Sequence, residues 1–544
     1  MKKLLSVGAV LFAVAVAAPV IAATADLAAK APLRPAKQLA AAAGSPGIAW
    51  YQGTVDAAFA QAKATNKPVF LYWGAQWCPP CNQVKATLFN RHDFIERSRL
   101  FIPVYIDGDA PGAQKLGARF KVRGYPSMLL FNAAGSEITR LPGEVDAAQY
   151  MRVLSMGLAA ARPVKVLLAT ALGDSLPGQA ALNHDDWRLL AFYSWDTDEQ
   201  QVTASDNLSA TLRQLTQRCP ADLPEISARL LLKAVAMAAA AKEAKPDLDA
   251  PAVGLILNML RDRRLARELF DLLAGYASQI VGHVTLADTD QRSELTAAWT
   301  VALDRLIADS SLSTADRLGA LAAKINLAKL GAPPDAPAES LQAEARAAVE
   351  RANRLTNDAY ARQSVISAAA DVLSDAGLLE ESDQLLKAEL KRSHSPYYFM
   401  LGLAANARQR GDKAGAIDWA QQAYGAAKGP ATRLQWGVSL LRTLLELAPQ
   451  DEGRIEAVAK QILDELQPTP DSFYERNRYS LEKMAARLAQ WNQDEQHAAV
   501  VKRLRLRMDG LCAKLPPADP AQANCRSIFA PAKAAQFPVA VPAS

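Results

Sequence analysis

The sequence predicts two architectures in one chain, an α/β domain near the N-terminus and a large all-α region after it. Three observations carry this. Apolar runs at 69–73, 100–107 and 127–131 alternate with helix-like patterns up to about residue 160. From about 165 to 510 the chain is rich in Ala and Leu at helical spacing and carries almost no strand signal. Two cysteines, Cys78 and Cys81, stand where the first strand passes into a helix.

Met1-Lys2-Lys3 is a basic start, 4–20 is almost wholly apolar, and Val20-Ile21-Ala22 fits a cleavage site, with Ala23-Thr24-Ala25 as a second choice. This predicts a bacterial-type signal peptide over 1–22 and a periplasmic product without a membrane span. The alternative is a retained anchor, against which stand the short apolar core and the small residues at its end. No Cys follows the apolar stretch, which argues against lipid anchoring. Residues 23–47 are rich in Ala and Pro and read as a tether. The 544 residues carry a formal charge of +5. Loss of Lys2 and Lys3 brings it closer to neutral, so neither nucleic acid nor an anionic surface is implied as partner.

In the α/β segment, 48–160, a helix is expected over 54–66 with Thr54 as N-cap. A strand over 69–73, a helix from Cys78 to about 97, a strand over 100–107 and a short helix over 113–120 follow. A hairpin of 127–131 with 137–141 turns around Asn132-Ala133-Ala134-Gly135, and a helix over 146–160 closes the segment.

Two helical stretches are expected, 165–356 and 357–510. The first begins near Asn183–Trp195 and holds helices at 199–218, 223–244, 250–260, 262–280, 289–308, 313–331 and 337–355. In the second, Gly377 and Gly411 lie 34 positions apart, as do Pro396 with Pro430 and Ala370 with Ala404. Thirty-four is the period of the tetratricopeptide repeat, and residues 411–420 resemble its turn and second helix, though the full consensus is not met. Two coincidentally similar hairpins are the alternative. Further pairs are expected at 431–448 with 452–466 and 472–490 with 494–510. Stacked pairs leave a concave face for a protein client. Tyr397, Tyr398, Phe399, Trp419 and Tyr424 either line that groove or are core. The 511–544 tail is Pro/Ala-rich and reads as ill-ordered from Leu515. Cys512 and Cys525 are candidates for a staple at its start, with Cys219 left over.

The chemistry lies in Trp77-Cys78-Pro79-Pro80-Cys81. Pro79 fits a first helical turn, where a missing N–H costs nothing. A thiol at the helix entrance feels the positive end of the dipole, and part of it is thiolate near neutral pH. Cys81 is within reach, so the pair can close a disulfide and reopen it by exchange. Half a zinc site is the alternative. His92, His184, His283, His394 and His497 are scattered without paired spacing, so no metal is expected. No cofactor is expected either.

With Trp77–Cys81, and Val122-Arg123-Gly124-Tyr125-Pro126 before the hairpin, the region of about 50–158 resembles the thioredoxin-fold family. Lys67-Pro68 and residues 94–98 are most similar to its secreted branch, whose periplasmic domains pass electrons between disulfides. The resemblance implies Cys78 as attacking thiol, Cys81 as resolving thiol, Trp77 packed beside the active turn, and Pro126 cis opposite the dithiol. The backbone of Tyr125 would pair with a client strand. Three departures matter. No Asp or Glu lies in 68–77, where the family often buries a carboxylate. Both residues between the cysteines are proline. Asn82 stands where a Lys often follows. These favour a reductase or weak isomerase over a strong oxidant. The expected activity is thiol–disulfide exchange with protein thiols and disulfides, supplied by a periplasmic electron donor, with the helical repeats holding clients. The alternative is a non-catalytic scaffold whose thioredoxin-like domain is a docking module around a stable disulfide.

Overall fold

The computed structural model describes residues 47–530 except 175–179, 200, 205–206, 245–249 and 332–338. The expected signal peptide, all but the last residue of the expected tether, and residues 531–544 lie outside the described residues.

Elements follow the order α1 (Val55–Thr65), β1 (Val69–Gly74), α2 (Pro79–Thr87), α3 (His92–Ser98), β2 (Ile102–Asp107), α4 (Ala113–Phe120), β3 (Ser127–Phe131), β4 (Glu137–Leu141) and α5 (Ala147–Ala159). The sheet is mixed, in the order β2-β1-β3-β4. β1 runs parallel to β2 and antiparallel to β3, which pairs antiparallel with β4. All six residues of β1 are buried, as an apolar central strand covered on both faces must be. Thr54 caps α1 by accepting from the Ala57 N–H, and Asp146 caps α5 by accepting from those of Ala148 and Gln149.

The all-α region continues with α6 (Val164–Leu172), α7 (His184–Ala191), α8 (Leu208–Arg218), α9 (Pro224–Ala240), α10 (Ala250–Arg261), α11 (Arg263–Glu268), α12 (Phe270–Gly275), α13 (Ala277–Val284), α14 (Asp290–Ala308), α15 (Thr314–Ala328) and α16 (Glu339–Leu355). Paired helices then follow: α17 (Ala359–Asp375) with α18 (Leu379–Glu389), α19 (Pro396–Gln409) with α20 (Lys413–Ala426), and α21 (Pro430–Leu447) with α22 (Glu452–Glu465); α23 (Glu475–Trp491) packs on α21 and α24 (Ala498–Cys512) on α22, so the pair expected at 472–490 with 494–510 does not form. A last helix, α25, spans Pro520–Ser527. Gly377 and Gly411 both take φ of 76° between the helices of a pair, a left-handed turn that disfavours a side chain.

Four further expectations need correction. The helix expected from Cys78 to about 97 is two, because Leu88–Arg91 turn the chain so that Leu88, Phe89, Phe94 and Ile95 can all bury. The helix expected over 262–280 breaks at Leu269 and Tyr276, a path that buries Leu269, Phe270, Leu272 and Leu273 together. The one expected from 199 starts only at Leu208. The tail is ordered through α25: Leu515, Ala521 and Cys525 are buried, and Cys525 is disulfide-bonded to Cys512. Cys219 is free, its thiol pushed up to about 11 by burial.

One face of the sheet, with Phe70, Tyr72, Met128 and Leu130, shares an apolar core with α5–α9 and α14 through Trp187, Leu230 and Trp299. Val69, Leu71, Trp73 and Phe131 on the other face are closed by α1 and α4. A further core joins Ala75, Trp77, Cys78 and Cys81 directly to Tyr397, Trp436, Leu440 and Met484. Among the described residues no single helix is long and apolar enough to cross a membrane; α5 and α6 satisfy length and composition jointly but meet at 87°.

Replacing Cys512 and Cys525 together by Ala frees a short loop and should lower stability by about 3 kcal/mol. Denaturant midpoints of the double variant against the native chain, without reductant, check this.

Candidate active site

Cys78 is the N-cap of α2 (φ −67°, ψ 113°), and its sulfur accepts from the Cys81 N–H at 3.2 Å. Pro79 and Pro80 fill the first two helical positions, so the turn starts without N–H groups that would need partners. The two sulfurs are bonded to each other. Asn82 does not merely lack the charge of a lysine. Its side-chain amide donates to the Gln76 and Cys78 carbonyls, both at 2.8 Å, and ties the turn to the helix. The Tyr125–Pro126 peptide is cis, and the Tyr125 carbonyl oxygen lies 3.6 Å from Cys78 Sγ. Trp77, Cys78, Cys81, Tyr125 and Pro126, far apart in part in sequence, thus meet where β1 ends and β3 begins, at one end of the two central strands.

Below this turn, the hydroxyl of Tyr72 on β1 donates to the Cys81 carbonyl at 3.4 Å. Burial, with Asp107 nearby, holds that hydroxyl protonated. β1 holds no carboxylate; Asp107, the last residue of β2, is 5% exposed and pairs in register with Gly74. Lys85, one turn beyond Cys81, is 6% exposed. Desolvation pushes its amine down to about 8, with Asp107 acting in the opposite sense. Its Nζ sits over the rings of Tyr105 at 5.8 Å and Tyr360 at 5.4 Å.

Both sulfurs are covered, Cys78 at 2% and Cys81 at 0% exposure, and the helical region covers them. The Trp77 ring meets Trp436 edge-on at 4.8 Å and stacks on Tyr398 at 6.0 Å. Its Nε1–H donates to Thr432 Oγ1 at 2.8 Å. Thr432 in turn donates its N–H to Asp109 Oδ1 at 2.8 Å and its hydroxyl to Asp109 Oδ2 at 2.5 Å. Gly429 permits this approach: with φ of 90°, a Cβ there would stand 2.3 Å from Asp109 Cγ. Gln363 of α17 donates to the Trp77 carbonyl at 3.4 Å, and His394 Nε2 lies 3.0 Å from the Gln76 carbonyl oxygen. Arg476 of α23 lies over both the Trp77 and Tyr125 rings. Arg123, three residues before the cis proline, pairs with Glu199 at 3.0 Å and Glu475 at 3.8 Å, so both ends of the helical region meet at this loop.

Of the two readings of the aromatic residues, groove or core, the structure favours core. Tyr397, Phe399 and Tyr424 are core, while Tyr398 packs on the chain's own Trp77. Asp109, Gln363, His394, Thr432, Trp436 and Arg476 escape sequence reasoning. The Trp77–Thr432 contact spans 355 positions, and no local pattern marks either partner. Asp107 and Lys85 left a fainter sign, an acid closing an apolar strand and a lysine on an otherwise buried helix face. Among the described residues no group of three or more His, Cys, Asp or Glu is placed to hold a metal.

Fold and site define a thioredoxin-like domain with a Cys-x-x-Cys pair, followed by an all-helical region. Residues 55–157 match the family model described as a thioredoxin-like domain. Over 98 residues the chain is 33% identical to the thiol:disulfide interchange protein DsbD of Yersinia pestis (strain Pestoides F), covering 17% of this chain and 16% of that protein. It is 36% identical over 107 residues to DsbD of Pseudomonas fluorescens, covering 19% and 17%. The chain thus spans about a sixth of the length of these curated relatives. Of solved structures, the oxidoreductase DsbH aligns at 20% identity over 21% of this chain and 87% of its own, with a TM-score of 0.19.

Desolvation pushes the Asp109 carboxyl up to about 6, against the hydrogen bonds from Thr432. A raised carboxyl adds stability below its unfolded value of 3.8 and loses it as pH climbs towards 6. Asp109→Asn removes that slope. Its thermal midpoint, followed across pH, should exceed that of the native chain from pH 6 to 8 and converge with it below pH 4.

Proposed function

We propose that this chain is a periplasmic thiol–disulfide oxidoreductase, a reductase or weak isomerase, delivered by a signal peptide over 1–22. The observation that carries the reading is the Cys78–Cys81 pair at the entrance of α2, with the Tyr125 carbonyl oxygen 3.6 Å from the Cys78 sulfur. The relatives' name, thiol:disulfide interchange protein, supports it. In the reduced protein the Cys78 thiolate attacks one sulfur of a client disulfide. The client S–S bond breaks, its second sulfur leaves as thiolate and takes a proton, and a mixed disulfide forms. Cys81 then attacks the Cys78 sulfur, restoring the Cys78–Cys81 disulfide and releasing the first client thiol. The client gains two electrons and two protons, and a protein dithiol donor returns two electrons to the pair. Trp77 and the Tyr125–Pro126 backbone would receive the client strand, while Pro79 and Pro80 shape the turn. The tetratricopeptide-like pairs, α17 to α22, would select clients.

Exchange with a protein requires the helical face to withdraw, because the sulfurs are buried beneath it. That burial also favours a second reading, in which the thioredoxin-like domain is a docking module around a stable disulfide and the helices are the working surface.

Reduction of insulin by the native chain, supplied with a dithiol donor, separates the two. The enzyme reading expects turnover, silence in Cys78→Ser, and mixed disulfides with clients accumulating in Cys81→Ser, visible on non-reducing gels. A native chain that never turns over, with Cys78→Ser retaining every interaction, would favour the docking module. Thr432→Val removes the acceptor for the Trp77 indole N–H and should speed reduction of the Cys78–Cys81 bond by dithiothreitol by roughly tenfold, as the loss of about 1.4 kcal/mol of closure predicts. Quenched thiol counts over time read that rate.

A further inference from the structure

The dithiol has no cation within its own motif: two prolines separate the cysteines, and Asn82 follows them. The fold brings one from α23. The Arg476 guanidinium carbon lies 5.4 Å from the centre of the Trp77 ring and 5.0 Å from that of Tyr125. These residues flank Cys78. Trp77 precedes it in the chain, and the Tyr125 carbonyl oxygen is 3.6 Å from its sulfur. The guanidinium thus lies over the two aromatic rings that adjoin Cys78, inside the closed site. Its hydrogen bonds go to neutral oxygens, Gln435 Oε1 at 2.8 Å and the Arg123 carbonyl at 3.1 Å. No carboxylate is hydrogen-bonded to it; burial disfavours its charge, and Tyr125 and Asp109 support that charge electrostatically.

We infer that Arg476 stabilises the Cys78 thiolate of the reduced, closed protein and so sets how readily this dithiol accepts electrons. The inference rests on the exchange chemistry proposed above. When a protein dithiol donor reduces the pair, the Cys78–Cys81 bond breaks and the donor's own disulfide forms. Two electrons arrive on the two sulfurs. Cys81 takes one of the two protons the donor releases, and the other goes to solvent. Negative charge is left on Cys78, in a site from which water is largely excluded. There a fixed cation counts for more than it would in water.

The other ionisable groups around the site do not replace it. Lys85 lies beneath α2, against Tyr105 and Tyr360. Burial lowers the pKa of His394, with the hydrogen bond to Gln76 opposing. Arg123 is paired with Glu199 and Glu475. Burial holds the Tyr125 hydroxyl protonated. Asp107 and Asp109 are acids and work against a thiolate. Arginine keeps its charge across the whole working range of pH.

The test is the titration of Cys78 in the full-length reduced protein, read as the rate of iodoacetamide alkylation against pH with Cys81→Ser in the background. Arg476→Gln should move the titration up by about one pH unit. Arg476→Met keeps the stem on both rings without the charge, guards against a misfolded Gln variant, and should give the same shift. Arg476→Lys keeps a charge and should recover at least half of it. With both cysteines present, at a pH above both titrations, the reduction potential of the neutral variants should fall by about 30 mV for each tenfold loss of thiolate stability. Titrations of the Gln and Met variants that overlay the native curve, or a Lys variant as shifted as the neutral ones, overturn the inference. Alkylation needs no client, so absence of insulin reduction alongside an intact Arg476 effect would count against the exchange reading alone.

Discussion

The packing of one indole organises the whole site. Trp77 is held edge-on by Trp436, face-on by Tyr398, and by its N–H on Thr432. Aromatic pairs of this kind contribute about 0.5–1.5 kcal/mol each beyond the area they bury, and a neutral hydrogen bond about 1 kcal/mol. Such terms are large enough to seat the helical face on the dithiol. They are also small enough to be exchanged, contact for contact, against an incoming protein surface that offers the same groups. Asp109 adds specificity to the closure, since its two oxygens match the N–H and hydroxyl of Thr432 in that docked position.

The α/β segment was legible because its signals are local. β1, β4 and α4 occupy or nearly occupy the expected positions, as the apolar runs and the Gly135 turn dictate. The 34-residue spacing of Gly377 and Gly411 reappears as two identical left-handed turns. Helix breaks were not legible. Leu88–Arg91 offers only Asn90 as a turn former and Leu269 offers none, and there tertiary burial outweighs propensity. The tail was misjudged for a related reason. Its Pro and Ala content suits a disordered segment, yet the Cys512–Cys525 bond and the burial of Leu515 and Ala521 hold it to α24.

The candidate site divides in the same way. The cysteines, Trp77 and the cis proline stand in contiguous motifs and were readable. Everything that covers them comes from α17, α19, α21 and α23, or from the loops between them, and is joined only through the fold. The roles of single residues changed accordingly. Asn82, noted for a missing charge, is the tether of the turn. β1 holds no acid, and Asp107 at the end of β2 pairs in register with its last residue.

Closure and electron content of the dithiol must be coupled if a cation from α23 faces the Cys78 sulfur. Thermodynamic reciprocity allows no alternative: by whatever factor the docked helical face favours the thiolate, formation of the thiolate favours docking by the same factor. The disulfide carries no charge for Arg476 to meet, so on the proposed exchange chemistry the oxidised protein would lack this term and open more readily towards an electron donor. The reduced protein would close over its own nucleophile. A small oxidant would then meet a shielded sulfur, whereas a protein client able to compete for Trp77 and the Tyr125 backbone would open the site and expose it. Selectivity on this view arises less from the shape of a groove than from displacement of an intrachain surface already seated on the reactive turn.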